Sequence, residues 1–185
     1  MKRVFCLLLA VFLVCSLSAC AGQSEEEERI VRVVTRMLTC PDEELTALIE
    51  GSKMIYDAGD PVPNPEKLAD QRRAHEDYAE YLKTVFTAED LTEEFQTRFC
   101  GEGYLSTIFP TVCVDMEAVL SVESVTVEVQ SEDSRTYGYT AELVIEKDGT
   151  KTPFTQIGKV QLSEDGRISW IDTYGFNELT EKIAR

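Results

Sequence analysis

The chain contains a single histidine, His75, and that fact bounds the acid–base chemistry it can carry. An imidazole titrates near neutrality, so His75 is the one residue suited to general acid–base work, and helical spacing sets it level with Tyr78 and Leu82. Catalysis there would need a carboxylate from elsewhere in the fold, and no spacing identifies one. The simpler expectation is a packed, hydrogen-bonded histidine. His75-Glu76 is followed by Ala79 where a helical zinc motif needs a second histidine. No CxxC pair, phosphate-binding glycine loop or GxSxG elbow occurs. Asp42, Glu43 and Glu44 lack the alternating spacing of a calcium loop. The expectation is therefore no catalytic residue, no metal and no cofactor.

Tyr137, Tyr139, Phe154, Trp170 and Tyr174 fall in strand-like segments, and tyrosine and tryptophan pair an apolar body with a polar tip. His75, Tyr78, Tyr137, Tyr139 and Trp170 make up a candidate ligand pocket, with the plain core face of a sheet as the alternative. Of six cysteines, Cys6 and Cys15 lie in an apolar leader and Cys20 ends it, which leaves Cys40, Cys100 and Cys113. Three is odd. One bridge with a leftover thiol and three buried thiols are both open, and sequence does not choose the pair. A reactive thiol would want a histidine or a helix N-terminus close by, and only Cys40, just before a predicted helix, approaches that condition.

The leader begins Met1-Lys2-Arg3 and runs apolar and uncharged from Val4 to Val14, the pattern of a secretory signal peptide. It is short for a span, since a bilayer core asks for about twenty apolar residues. It closes on Leu17-Ser18-Ala19-Cys20, which resembles the bacterial lipobox. That resemblance implies diacylglycerol on the Cys20 sulfur, cleavage between Ala19 and Cys20, and a chain held to the bilayer. Two acyl chains hold stably where one is marginal. The expected location is the outer side of the cytoplasmic membrane, or the outer membrane if the cell has one.

Loss of residues 1 to 19 leaves 166 of 185, the size of one domain. Lys2 and Arg3 leave with it, so the net charge moves from −16 to −18. So negative a chain is a poor match for nucleic acid or anionic lipid surfaces. The expected division is a signal peptide at 1–19, the lipidated cysteine and a short tether at 20–23, and a single α+β domain at 24–185.

Ser24-Glu25-Glu26-Glu27 is a capping box opening a helix with Ile30, Val33, Val34, Met37 and Leu38 on one face. Arg29, Arg32 and Arg36 form a stripe on it, read either as a solvated, ion-paired face or as a face turned to lipid headgroups. Pro41 to Glu44 starts a short helix carrying Leu45, Leu48 and Ile49, and residues 51–65 read as a loop. Asn64-Pro65-Glu66 opens a long helix with Leu68, His75, Tyr78, Leu82 and Phe86 along one side. Thr87 to Asp90 reads as a further capped start leading to Leu91, Phe95 and Phe99. Residues 104–117 predict a helical turn to Phe109 and then extended chain. The period then becomes two: Val125, Val127 and Val129 in one strand, Tyr137 to Ile145 in the next. Asp148-Gly149 and Asp165-Gly166 mark hairpins before strands at about 151–162 and around Ile168 to Tyr174, and Asn177, Leu179 and Ile183 predict a closing helix.

Helices followed by a four-stranded antiparallel meander that wraps them, with a short C-terminal helix, define an α+β class. The order of elements is similar to that of the cone-shaped nuclear-transport-factor-two-like (cystatin-like) domains over roughly residues 24–175. Four candidate helices precede the sheet where that family has three, and the closing helix is a further departure. The resemblance implies a sheet-lined pocket that holds a small molecule, performs acid–base chemistry or packs a partner. The leading expectation is a noncatalytic envelope lipoprotein that binds a small ligand or a partner protein. The alternatives are an accessory lipoprotein docked on a membrane complex and an enzyme using a cone pocket with His75.

Overall fold

A computed structural model describes residues 24–40, 46–47, 65–101 and 105–184. The leader, Cys20, the tether at 20–23, and most of the predicted helix and loop between Pro41 and Asn64 lie outside the described residues. Within them the order is α1 (Glu25–Leu38), α2 (Pro65–Val85), α3 (Glu93–Phe99), α4 (Leu105–Asp115), β1 (Ala118–Ser131), β2 (Thr136–Lys147), β3 (Thr150–Leu162), β4 (Ile168–Tyr174) and α5 (Phe176–Ala184). The fold is α+β: helices in the N-terminal half, then four antiparallel strands in the order β1-β2-β3-β4, then a short closing helix.

The capping box forms as its residue types dictate. Ser24 Oγ accepts from the Glu27 amide at 3.2 Å while Glu27 accepts from the Ser24 amide at 3.1 Å, so two helix-end donors are satisfied reciprocally. Ile30, Val33, Val34, Met37 and Leu38 are all buried against the sheet. The Arg29 end of the helix touches the β3–β4 turn, and its far end reaches the start of β1 through paired backbone bonds between Cys40 and Leu120, at 3.0 and 2.7 Å.

β1 is longer than its alternating valines predict. It begins at Ala118, and a bulge between Val122 and Ser124 adds one residue, which changes the parity of the strand. Leu120 and Val122 before the bulge, and Val125, Val127 and Val129 after it, therefore all share the face of Ile145, Leu143, Ala141, Tyr139 and Tyr137 on β2. Without the extra residue one set would point to the opposite face. Asp148 and Gly149 both take positive φ, 51° and 73°, as a tight two-residue turn requires, and Gly166 does so at 81° in the next connection. Gly158 answers a different need. A Cβ there would lie 2.5 Å from the ring of Tyr139, which lies across the glycine.

Two expectations in the helical half are corrected. Thr87–Asp90 is a turn rather than a helix start; α3 is capped by Thr92, whose hydroxyl accepts from the Phe95 amide at 3.4 Å, and Leu91 pairs in parallel with Ile168 instead of entering the helix. Residues after Phe109 are not extended: α4 continues through Pro110 to Asp115. A proline at position 110 deprives the Ser106 carbonyl of its helical donor, and the hydroxyl of Tyr78 donates to that carbonyl at 3.4 Å. Phe109 meets Phe176 edge to face with centroids 5.4 Å apart, and Leu179 and Ile183 of α5 are buried as their spacing predicts.

Candidate functional site

The five residues grouped as a candidate pocket are distributed over three places. Tyr137 and Tyr139 are neighbours on the helix-facing side of β2. Trp170 alternates with buried Ile171 and pairs with exposed Gln161, which puts it on the opposite face of the sheet. His75 and Tyr78 sit on α2, half-buried, with Tyr78 engaged at Ser106. Tyr137 donates to Glu26 at 2.6 Å; that bond, with burial, pushes its ionisation up to about 12. Burial, with the charges of Asp172 and Tyr174, raises Tyr139 further, so both phenols hold their protons at neutral pH. The Tyr139 hydroxyl, Gln156 Oε1 and Thr173 Oγ1 are buried atoms on the helix-facing side of the sheet that make no hydrogen bond among the described residues.

A different constellation converges on Asp90. The turn at 87–90 holds its backbone, and its carbonyl accepts from the Ile168 amide at 2.8 Å, so the carboxylate is fixed against the end of the sheet. Arg32 of α1 donates to it at 2.5 Å, and Arg29 lies 3.6 Å away while donating to the Gly166 carbonyl at 2.5 Å. The hydrogen bond to Asp90 raises the Arg32 ionisation above its already high ordinary value. Arg29 is closely enclosed and Arg32 keeps more than half its side chain in solvent. The arginine stripe is thus neither fully solvated nor free along its length: its first two members are spent on one carboxylate.

Between α1 and α2 this pair borders a groove of about 320 Å³ lined by Arg32, Val33, Arg36, Val85, Phe86 and Asp90. It adjoins a cavity the size of one water, about 20 Å³, where Arg36 donates to the Tyr81 hydroxyl at 3.4 Å. Apolar walls with a few convergent charged groups at the rim are the composition of a small-ligand site. Glu28 and Glu89 stand near Arg32, so the rim carries both signs. Sequence reasoning found the arginines but not Asp90, whose partners Arg32 and Arg29 lie 58 and 61 residues earlier on α1. Among the described residues no group of three or more His, Cys, Asp or Glu side chains is placed to hold a metal, and no helix is long and apolar enough to cross a membrane. No protein-family model, curated protein or solved structure matches the chain.

Proposed function

We propose that this chain is an envelope lipoprotein, anchored through diacylated Cys20, whose domain is a noncatalytic binding module with its ligand seat in the α1–α2 groove. The observation that carries the binding reading is the groove itself: apolar walls from Val33, Val85 and Phe86 under a rim where Arg32 and Asp90 are already held in place. A ligand with an apolar body and a polar or anionic head suits those walls and the exposed part of Arg32. Anchoring is supported by the lipobox at Leu17 to Cys20 and by the start of α1 only a few residues beyond it.

Native mass spectrometry of the protein purified from its own envelope tests binding. Copies carrying a bound small molecule, lost in Val85→Trp, support the groove; ligand-free wild type with no co-purifying partner sinks the binding reading. Anchoring has its own test, since Cys20→Ser should abolish acyl labelling and membrane retention. Retention unchanged in that variant would overturn it.

A second reading, docking on an envelope protein, is favoured by apolar side chains left outside the core. Val119 on the edge strand β1, and Ile157 and Tyr174 on β3 and β4, share the sheet face turned away from the helices and are each at least 41% exposed. Crosslinking from Val119 or Ile157 to one envelope protein, with an empty groove, would select this reading over the first.

A further inference from the structure

Three cysteines remain once the leader and the anchor are set aside, and the structure separates them into a pair and a single. Cys40 follows the Thr39 cap of α1, and both its backbone groups bond to Leu120, which fixes where its side chain points. Cys113 lies on α4, one helical turn beyond Phe109. Both are buried, and their sulfurs are 3.3 Å apart although 73 residues of chain separate them. Cys100 is elsewhere: it caps the C-terminus of α3 beside Lys83 and Glu80, and burial pushes its thiol up to about 12. A disulfide needs its sulfurs about 2.05 Å apart, so closing this pair takes a movement of about 1.3 Å, within reach of side-chain rotation.

We propose that Cys40 and Cys113 are joined by a disulfide in the exported protein and that Cys100 stays a thiol. Formation in the cell rests on the reading that the chain is exported from the reducing cytoplasm to an oxidising compartment, in which such bonds persist; the choice of pair rests on the geometry alone. The oxidant is a disulfide of the exchange class, either a dithiol oxidoreductase in its oxidised form or a small-molecule disulfide. One cysteine thiolate attacks it, forming a mixed disulfide and releasing one thiol. The second cysteine thiolate then attacks the mixed disulfide, forming the S–S bond and releasing the other. Two protons leave the protein thiols, and two electrons reduce the donor to its thiol form. Both sulfurs are buried in the finished fold, so exchange takes place while the chain is still folding, and the product is then shielded from reductant. The bond ties the end of α1 to α4 and closes into one loop the stretch that carries α2 and α3, and with it the Val85, Phe86 and Asp90 wall of the groove, while the Arg32, Val33 and Arg36 wall on α1 lies just before the loop.

The test is a peptide map of the full chain, expressed with its own leader, quenched with an alkylating reagent at lysis, denatured with more reagent and digested without reductant. The expected result is one linked peptide containing Cys40 and Cys113 and an alkylated Cys100. Cys100→Ser should leave the link complete, and Cys40→Ser should abolish it. A bridge that includes Cys100, or three alkylated cysteines in chains whose leader has been removed, overturns the proposal. If the leader is retained and the chain stays inside the cell, the export reading fails separately. The same purified chain, unfolded and refolded in oxidised and reduced glutathione, then decides the pair: a Cys40–Cys113 link supports it, and any other link or none overturns it.

Discussion

The two ends of α1 are fastened by different physics. At its N-terminal end the contacts are polar and charged: Glu26 takes hydrogen bonds from Arg135 and Tyr137, and Arg29 and Arg32 close on Asp90. At its C-terminal end Met37, Leu38, Cys40, Cys113 and Leu120 are all buried, and paired backbone bonds between Cys40 and Leu120 tie the helix end to β1. The charged end is geometrically specific but exchanges protein contacts for water contacts at small net gain. The apolar end supplies most of the free energy, because each buried side chain leaves water at little polar cost. A helix held this way has one end sensitive to pH and salt and one end sensitive to packing and redox state.

Breaking the sulfur pair should have the largest effect. For a closed loop of this length, Cys113→Ala is expected to lower the stability of the oxidised protein by about 4 kcal/mol, and reductant should remove most of the difference between variant and wild type in denaturant titrations. Leu38→Ala, at a fully buried position, should cost about 3 kcal/mol through the cavity it leaves, with little dependence on salt or pH. At the other end Asp90→Ala takes from the enclosed Arg29 its buried carboxylate neighbour, leaving it the exposed Glu25, and should cost about 2 kcal/mol. That loss should shrink in about 1 M salt, where exposed charge is screened; a salt-independent loss would mean that Asp90 acts through packing alone.

Tyr137→Phe should have the smallest effect, about 1 kcal/mol near neutral pH for one hydrogen bond. Its pH dependence sharpens the contrast. The folded state holds the Tyr137 proton more tightly than the unfolded chain, whose phenol ionises near pH ~10. The contribution is therefore complete below that pH and is lost as pH rises through about 12. Wild type and Tyr137→Phe should converge in stability across that interval, while Leu38→Ala should stay parallel to wild type. Failure to converge would show that the Glu26 contact does not stabilise the fold.

What was legible in the sequence was local. Ser24 and Glu27 satisfy each other within one turn, and Asp148-Gly149 turns the chain because those residues tolerate positive φ. The continuation of α4 past Phe109 was not legible, because the hydroxyl that compensates the Ser106 carbonyl opposite Pro110 comes from Tyr78, 28 residues earlier. The bulge at Glu123 was equally hidden: one unpaired residue leaves no mark in a run that already alternates. The candidate pocket mixed the two faces of the sheet because strand parity beyond Ser169 depends on a further irregularity, between Gln161 and Leu162.

By itself, then, the sequence determined the class of fold, the capped helix, the hairpins and the four-strand order, since each follows from interactions among near neighbours. Tertiary structure decided that Asp90 anchors the arginines, that Cys40 meets Cys113, and that the groove lies between α1 and α2. Those partners are tens of residues apart, and only the packing of whole elements brings them within bonding distance.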